Sequence, residues 1–536
     1  MHPYAVEEFS EAESAILRRY FTNLEGPIFA LVNLPEVVKG ALFARYSRST
    51  KSLRRLFLDE FVGDLDLEGD VTVDATIGLD RADDLYQRIF YEYGDDSVAQ
   101  LGGVHLACEQ ASNVLTKVLE WGRLASYLEQ STRYLGYDRR WSNGHYRYYR
   151  DHDVLQSTFG LRYIGEMDRM FDTYADLLPQ LTEWLTREFP KTPEDTDFVY
   201  RQAIRAKALD AVRGLLPAGA LSNLGIYASG QAYESLLLRM RAHPMPEVRH
   251  YADMMVEELR KVIPSFLKRL DVPDRGVAWT NYLASTKSAT RDLVASLSIE
   301  NNARDSESVT LTDFDPHGET RILEAIVTAN STVSAEAARR AVEGLSPADR
   351  ERLLATYVGE RENRRHRPGR AFEATDYRFE LVTDYGAFRD LQRHRLLTVE
   401  WQPLTVDLGY DVPDVIVEAG LRGPYEESLG RSASLYEDLR GEFPDQAQYA
   451  VALAFRIRYT MQMNAREAMH LIELRSGPQG HPSYRRVAHE MVRQISDVAG
   501  HHGVARSMTY VDFSDVDLER LNAERAAERN RQNRTR

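Results

Sequence analysis

Apolar positions recur at three- and four-residue spacing through Phe198–Leu216, Tyr251–Leu270, Ala335–Val358 and Asp445–Leu474. That is the period of a helix with one buried face, so the chain reads as mainly helical. Two shorter runs, Ser308–Leu311 and Asp376–Thr383 ("DYRFELVT"), are rich in β-branched and aromatic residues and predict strands. The fold class is therefore α+β. The stretches "DVPDRG" (Asp271–Gly276) and "IENNARDSESVT" (Ile299–Thr310) carry turn and charge signals between two large units. They divide the chain into an N-terminal domain over 1–272, a linker over 273–305 and a C-terminal domain over 306–515. The end, "AERAAERNRQNRTR" (Ala523–Arg536), has no apolar face, and 516–536 is expected to be a flexible tail.

Length agrees with that division, since 536 residues exceed one ordinary core. No apolar run approaches the roughly 20 residues a membrane helix needs. The N-terminus, "MHPYAVEEFSEAESAILRRY", lacks the basic start of a signal peptide, so a cytoplasmic protein is expected. The single cysteine, Cys108, rules out a disulfide framework and reads as a small buried residue. A net charge of −15 disfavours a global grip on nucleic acid and leaves room only for local anion sites. Of the 67 basic residues only 8 are lysines, so one arginine matching a motif carries little weight.

Motifs therefore count only when several residue types agree. "FARYSRSTKSLRRL" (Phe43–Leu56) and "IVTANSTVSAEAARRA" (Ile326–Ala341) each put a hydroxyl-rich turn before a helix. They are followed in the same order by "WGRLASYLEQSTRY" (Trp121–Tyr134) and "RHRLLTVEWQPLTV" (Arg393–Val406), then by "VRGLLP" (Val212–Pro217) and "MNAREAMHLIELR" (Met463–Arg475). Order kept across both halves predicts a diverged tandem duplication.

These segments resemble the flavin-dependent thymidylate synthase family, whose signature is RHR-x-x-S-x-N-E-x-S-x-R-Y, followed by an Arg before Leu-Pro and an N-x-R…H…LR helix. The N-terminal half keeps Arg123, Ser126, Glu129, Ser131, Arg133 and Tyr134, with Leu128 at the asparagine position. It also keeps Arg213, where the other half has Gln448. The C-terminal half keeps Arg393, His394 and Arg395, then Asn464, Arg466, His470 and Arg475. The losses are complementary.

The resemblance implies two tandem, mainly helical domains, each with a small sheet. It implies an enzyme that methylates the pyrimidine deoxynucleotide dUMP to dTMP, with FAD as cofactor and NADPH and methylenetetrahydrofolate as co-substrates. Glu129, Gln130, Ser131, Arg133, Arg213 and Arg393 would bind substrate. Arg393, His394, Arg395, Asn464, Arg466 and His470 would hold the flavin, and Arg475 would activate the uracil ring. Family sites lie between subunits of a homotetramer, so a homodimer of this chain would imitate the tetramer, its composite sites forming within one chain or between two. The alternative is a catalytically silent or regulatory pyrimidine-nucleotide-binding protein on the same scaffold.

Bland readings stand beside these. Glu129–Tyr134 suits a capped helix end, "RHR" suits a solvated basic turn, and His243, His481, His501 and His502 suit ordinary loop or surface positions. No metal site and no Gly-rich phosphate loop is readable. Departures from the family are Asp390, an anion beside an anion site, and Ala374 and Gly102, which lie about where the family has a histidine upstream of the RHR motif.

Overall fold

A computed structural model describes residues 7–26, 29–46, 51–60, 62, 100–297, 299 and 308–534. The repeat segment Phe43–Leu56 lies partly outside these residues, as does most of Ile299–Thr310. The chain forms two compact units. Unit 1 gathers Met1–Glu109, Gly122–Glu129 and Asn223–Ser298, and unit 2 gathers Gln110–Trp121, Gln130–Ser222 and Ile299–Arg536.

Unit 1 is centred on a three-stranded sheet in the order β1 (Gly103–Ser112), β3 (Leu221–Ser229), β2 (Ala125–Glu129). β2 and β3 run antiparallel from Ala125↔Ala228 to Glu129↔Leu224. In β3 the buried Leu224, Ile226 and Ala228 alternate with more exposed neighbours, the period of a half-buried strand. Ser229 ends it and caps the next helix, accepting from Ala232 N. Gly102 and Gly230 let Phe266 approach, since a Cβ at either would lie 2.5 or 2.6 Å from its ring.

Unit 2 holds a four-stranded antiparallel sheet in the order β4 (Val309–Phe314), β5 (Asp376–Asp384), β7 (Arg456–Asn464), β6 (Thr398–Trp401). Helix α1 (Asn113–Leu119) and the long helix α2 (Gly160–Glu188) belong to it, as do α3 (Asp197–Val212), α4 (Tyr385–Leu391), α5 (Arg422–Leu439), α6 (Ala465–Arg475), α7 (Pro482–Asp497) and α8 (Leu521–Arg534). α2 buries Tyr163, Met167, Met170, Phe171, Tyr174, Leu177 and Leu181, a stripe at three- and four-residue spacing that packs on α5.

The same order of elements occurs twice. Strand, helix, strand, long helix, 3-10 turn and strand run as β1, α1, β2, α2, Arg213–Leu215, β3, and again as β5, α4, β6, α5, Gln446–Ala450, β7, with α3 present before the first 3-10 turn and no counterpart before the second. Within unit 2 the stretches after the two 3-10 turns pair with each other. Ala454 N donates to Gly214 O (2.9 Å), Leu453 N to Leu216 O (2.9 Å), Ala218 N to Val451 O (2.8 Å) and Gly219 N to Tyr449 O (2.9 Å). The corresponding helices also meet, Tyr385 Oη donating to Asn113 O (3.1 Å) and Gln392 Nε2 to Lys117 O (2.9 Å). This pairing is why residues 130–222 join the C-terminal half and why the compact units do not follow the linear division at 1–272 and 306–515.

Several expectations need correcting. Asp445–Leu474 is not one helix: Arg456–Asn464 is a strand, because "RIRYTMQMN" alternates and buries Ile457, Tyr459, Met461 and Met463 against β5 and β6. Tyr251–Leu270 stops being α-helical at Arg260 and resumes as a 3-10 stretch from Pro264, since proline disfavours helix in the residue before it. Ala335–Val358 breaks into Ala335–Glu343 and Pro347–Val358 at Gly344 and Pro347. The expected linker contains the 19-residue helix Ala278–Ser296. The expected flexible tail contains α8, anchored by charge instead of an apolar face: Arg525 Nε meets the buried Asp195 carboxylate at 2.6 Å. The strands expected from Ser308 and Asp376 are present as β4 and β5. Among the described residues no helix is long and apolar enough to cross a membrane.

Candidate functional site

The hexamer Glu129–Tyr134 is a strand end followed by a turn, not a capped helix. β2 stops at Glu129, and the Tyr134 and Leu135 amides fold back on Ser131 O at 3.3 and 3.2 Å. Ser131 Oγ accepts from Arg133 N (3.2 Å), which turns the Arg133 side chain inward. There one edge of the guanidinium grips Asp210 of α3, Nε to Oδ1 at 2.7 Å and Nη2 to Oδ2 at 2.5 Å. Its Nη1 donates to Tyr484 Oη of α7 at 2.7 Å. Burial pushes the Asp210 carboxyl up, and the Arg133 charge and hydrogen bonds outweigh it, holding the group below the usual carboxylate range.

Arg213, on the 3-10 turn after α3, reaches the last turn of α4, where its Nη1 lies 3.4 Å from Asp390 Oδ2. α4 begins at Asp384, whose Oδ1 accepts from Ala387 N (2.9 Å), so Asp390 and then Arg393 and His394 fall at its C-terminal end. Cations are favoured there by the helix dipole. Arg393 Nη1 stands 3.8 Å from Asp390 Oδ1. Burial raises the Asp390 carboxyl, but the charges of Arg393, Arg213, Arg475 and Arg133 drive it far below its ordinary value. The anion noted in the sequence is thus the shared counterion of four guanidinium groups.

Arg213 is buried, and its Nη2 has no hydrogen-bond partner; neither has the buried hydroxyl of Tyr425. Both groups line a cavity of about 600 Å³, together with Asp384, Ser483, Lys207 and Arg486. Gly214 and Gly386 make the approach feasible: a Cβ at Gly214 would sit 2.1 Å from Tyr425 Oη, and one at Gly386 would sit 3.1 Å from Arg213 Nη2.

A second cluster is built on α6. Asn464 caps it, its Oδ1 accepting from Glu467 N at 2.9 Å, and Glu467 and His470 share a face at i, i+3. Glu467 Oε1 meets His394 Nδ1 at 3.1 Å, and Arg475 Nε donates to His394 Nε2 at 3.0 Å. The His394 and His470 rings lie edge to face, 5.3 Å apart. Burial, with the Arg475 charge, His470 and Arg364, keeps His394 neutral. Burial also lowers His470 to about 4 and raises Glu467 to about 7, the latter against the charges of Arg367 and Arg466. Arg475 packs over the Tyr484 ring at 5.5 Å, the ring that also contacts Arg133 at 5.7 Å.

The structure therefore brings Arg133, Arg213, Arg393, His394, His470 and Arg475 into one region of unit 2. Ser131 supports it through the Arg133 backbone. Gln130 offers its carbonyl to Ser222 Oγ (3.3 Å), and Glu129, buried at the end of β2, belongs to unit 1. Arg395 is exposed. Asn464 has its side chain in the α6 cap, and Arg466 Nε donates to Pro368 O at 2.9 Å with Nη1 3.6 Å from Glu373. Asp210, Tyr484, Tyr425 and Glu467 were missed by the sequence reading. Only Glu467 had a local signal, three residues after a helix-capping asparagine.

Ligand-capable atoms of His394, Glu467 and His470 lie within 4.8 Å of one another, close enough for a metal ion. The chemistry points the other way, because Arg475 holds the His394 Nε2 lone pair and Arg364, Arg367 and Arg466 surround the cluster with positive charge. The same cations suit an anionic cofactor, whose pyrophosphate they would neutralise.

The sequence model of the family described as thymidylate synthase complementing protein matches residues 44–265 and 310–500. A UPF0159 protein of Chlamydia muridarum is 38% identical over 524 residues, covering 96% of this chain and 98% of its own. A UPF0159 protein of Thermoplasma acidophilum is 32% identical over 512 residues, covering 91% of this chain and 97% of its own. Among solved structures, a UMP/dUMP methylase PolB from Streptomyces cacaoi bound with 5-Br dUMP matches 38% of this chain and 96% of its own at 17% identity. Its TM-score of 0.31 is too low to bear on fold or chemistry. Full-length relatives and one family matched in two successive segments lead to one conclusion: the chain belongs to the flavin-dependent thymidylate synthase family.

Proposed function

We propose that the protein methylates dUMP to dTMP, using methylenetetrahydrofolate as the one-carbon donor, with FAD as cofactor and NADPH as reductant. The observation that carries this reading is the meeting of Arg133 and Arg213 with Arg393 and Arg475 around Asp390 and Tyr484. Those four arginines face the carboxylates Asp210 and Asp390, and Arg213 also faces Asp384, whose buried carboxyl is pushed up, so the cluster stays net positive. A phosphate monoester carries about −1.5 to −2 at neutral pH, so the balance suits a nucleotide monophosphate. Arg213 Nη2 and the Tyr425 hydroxyl are unpartnered donors for its oxygens. Arg475, held by His394, would stabilise negative charge developing on the pyrimidine ring.

Arg466, Arg395, Arg364 and Arg367 are the cations that would hold the flavin pyrophosphate, with His470 beside it. When bound, the flavin supplies the redox chemistry that completes the methyl group; the chain's residues bind, orient and exclude water. A cytoplasmic homodimer would reproduce the four-domain assembly of the family. Tandem duplication accounts for the repeated order of elements and for the exchange of losses between halves.

The second reading, a silent or regulatory nucleotide-binding protein, is favoured by one observation: Asp210 and Asp390 already occupy the arginines. Purified chain decides between them. Flavin absorption bands with conversion of dUMP to dTMP support the enzyme. Colourless protein that binds dUMP supports the alternative, and protein that binds neither overturns both. Because Arg133 and Arg475 contact one Tyr484 ring in a single chain, mixing Arg133→Ala with Arg393→Ala protein should restore no activity. Recovery on mixing would instead assign the site to two chains.

A further inference from the structure

Three side chains in a row connect α6 to the Arg475 guanidinium. Arg475 Nε is a permanent donor, because a guanidinium has no acceptor, so His394 Nε2, 3.0 Å away, must carry a lone pair. A neutral imidazole with its lone pair on Nε2 has its proton on Nδ1. Glu467 Oε1 lies 3.1 Å from Nδ1 and is placed to accept that proton's hydrogen bond. The other charged or titratable groups acting on His394 are Arg475, His470 and Arg364, none of which is a carboxylate. His394 and Glu467 are both buried, so water does not compete freely for either ring nitrogen.

We infer that Glu467 is a positioning residue: by accepting from His394 Nδ1 it fixes the tautomer whose Nε2 receives Arg475 Nε–H, and so orients the Arg475 guanidinium toward the substrate ring. The inference rests on the function proposed above, in which Arg475 faces the pyrimidine. It assigns a role to a residue outside the RHR and N-x-R motifs that carry the resemblance. Glu467 also has an acceptor oxygen in either protonation state, so the tautomer is held on both sides of its shifted value near 7. Without that acceptor, nothing sets the ring's tautomer on the Nδ1 side. The Nε2–H form would then put two donors face to face, and Arg475 would turn away.

The test is nitrogen NMR of full-length protein labelled at histidine nitrogens, with the His394 signals identified by difference against His394→Asn. The expected spectrum shows Nδ1 protonated and Nε2 bare in the natural chain and in Glu467→Gln, which keeps an acceptor oxygen. Glu467→Ala is expected to shift the ring toward Nε2–H. In turnover assays kcat should fall by up to about 100-fold in Glu467→Ala and recover in Glu467→Gln. KM for dUMP should change by less than about threefold, because orientation on the reacting ring is lost and phosphate binding is not. An Nε2–H tautomer in the natural chain overturns the inference, whether or not the protein turns over. So does undiminished kcat in Glu467→Ala. Absence of turnover alongside the Nδ1–H tautomer overturns the proposed function instead and leaves the positioning geometry standing. Should Glu467→Ala fail to fold, the spectra of the natural chain and Glu467→Gln still decide.

Discussion

Arg133, which contacts the Tyr484 ring, and His394, whose partner Arg475 contacts the same ring, are both buried polar side chains, and they solve burial in opposite ways. Arg133 stays charged, because Asp210 accepts two hydrogen bonds from one edge of it and Tyr484 accepts a third from Nη1. His394 gives up its charge, and its neighbours His470 and Glu467 shift in the same direction, toward the neutral form. The first arrangement is an ion pair locked by geometry. The second is a hydrogen-bonded chain of side chains held neutral by burial, in which Glu467 alone, raised to about 7, titrates near neutral pH. Desolvation acts on both, and only the presence or absence of a matched opposite charge decides which outcome follows.

The contrast is broken most forcefully at Asp210. Asp210→Ala leaves the Arg133 guanidinium buried without its counterion, and stability should fall by about 3–5 kcal/mol in urea unfolding. A loss under about 1 kcal/mol, the range of exposed pairs, would show that water reaches Arg133 and that the pair is not locked.

A pH series sharpens the other side. Glu467 is raised from 4.5 to about 7 in the fold, so the native state binds the extra proton between those values. Its burial therefore costs nothing below about pH 4.5 and destabilises progressively as pH rises to about 7. Glu467→Gln removes that penalty. The variant should be more stable than the natural chain by ~1–3 kcal/mol at pH 8, and the gap should close toward pH 4.5. His470, lowered from 6.5 to about 4, contributes with the opposite sign, its stability being lost as pH falls from about 6.5 to 4. It is present in both proteins, so it cancels in the comparison. A gap independent of pH would remove the titration from the picture.

The smallest expected effect lies between the two regions, at Asp390. Asp390→Asn deletes the carboxylate that competes with a ligand for Arg213 and Arg393. Binding of dUMP should tighten about tenfold, ~1.4 kcal/mol, in calorimetric titration. Weaker binding would mean that Asp390 orders the arginines for the ligand instead of competing with it.

Local pattern carried much of this in advance. The strands at Val309 and Asp376, the helix at Asp197 and the part of Pro246–Arg260 from Tyr251 onward were readable from period, whereas the arginine, histidine and asparagine motifs stand out only through the resemblance to the family. Failures came where one period hid another. "RIRYTMQMN" was read through as helix because the helical stretch of α6 follows it directly, and its alternation has meaning only against β5 and β6. The charge-held helix at Leu521 was unreadable for a related reason. It has no apolar face, and its anchor, Asp195, lies more than 300 residues earlier.

The sequence by itself determined which residue types were available: motif residues split between the two halves of the chain and an excess of arginine. Tertiary structure decided which of them meet. Pairing of 214–219 with 449–454 puts Arg213 and α4 in one unit, and from there Asp210, Asp390 and Glu467 become partners of Arg133, Arg213 and His394. Charge state follows from burial and from the group a few ångströms away. Both are properties of the folded chain, set by contacts that no spacing along the sequence encodes.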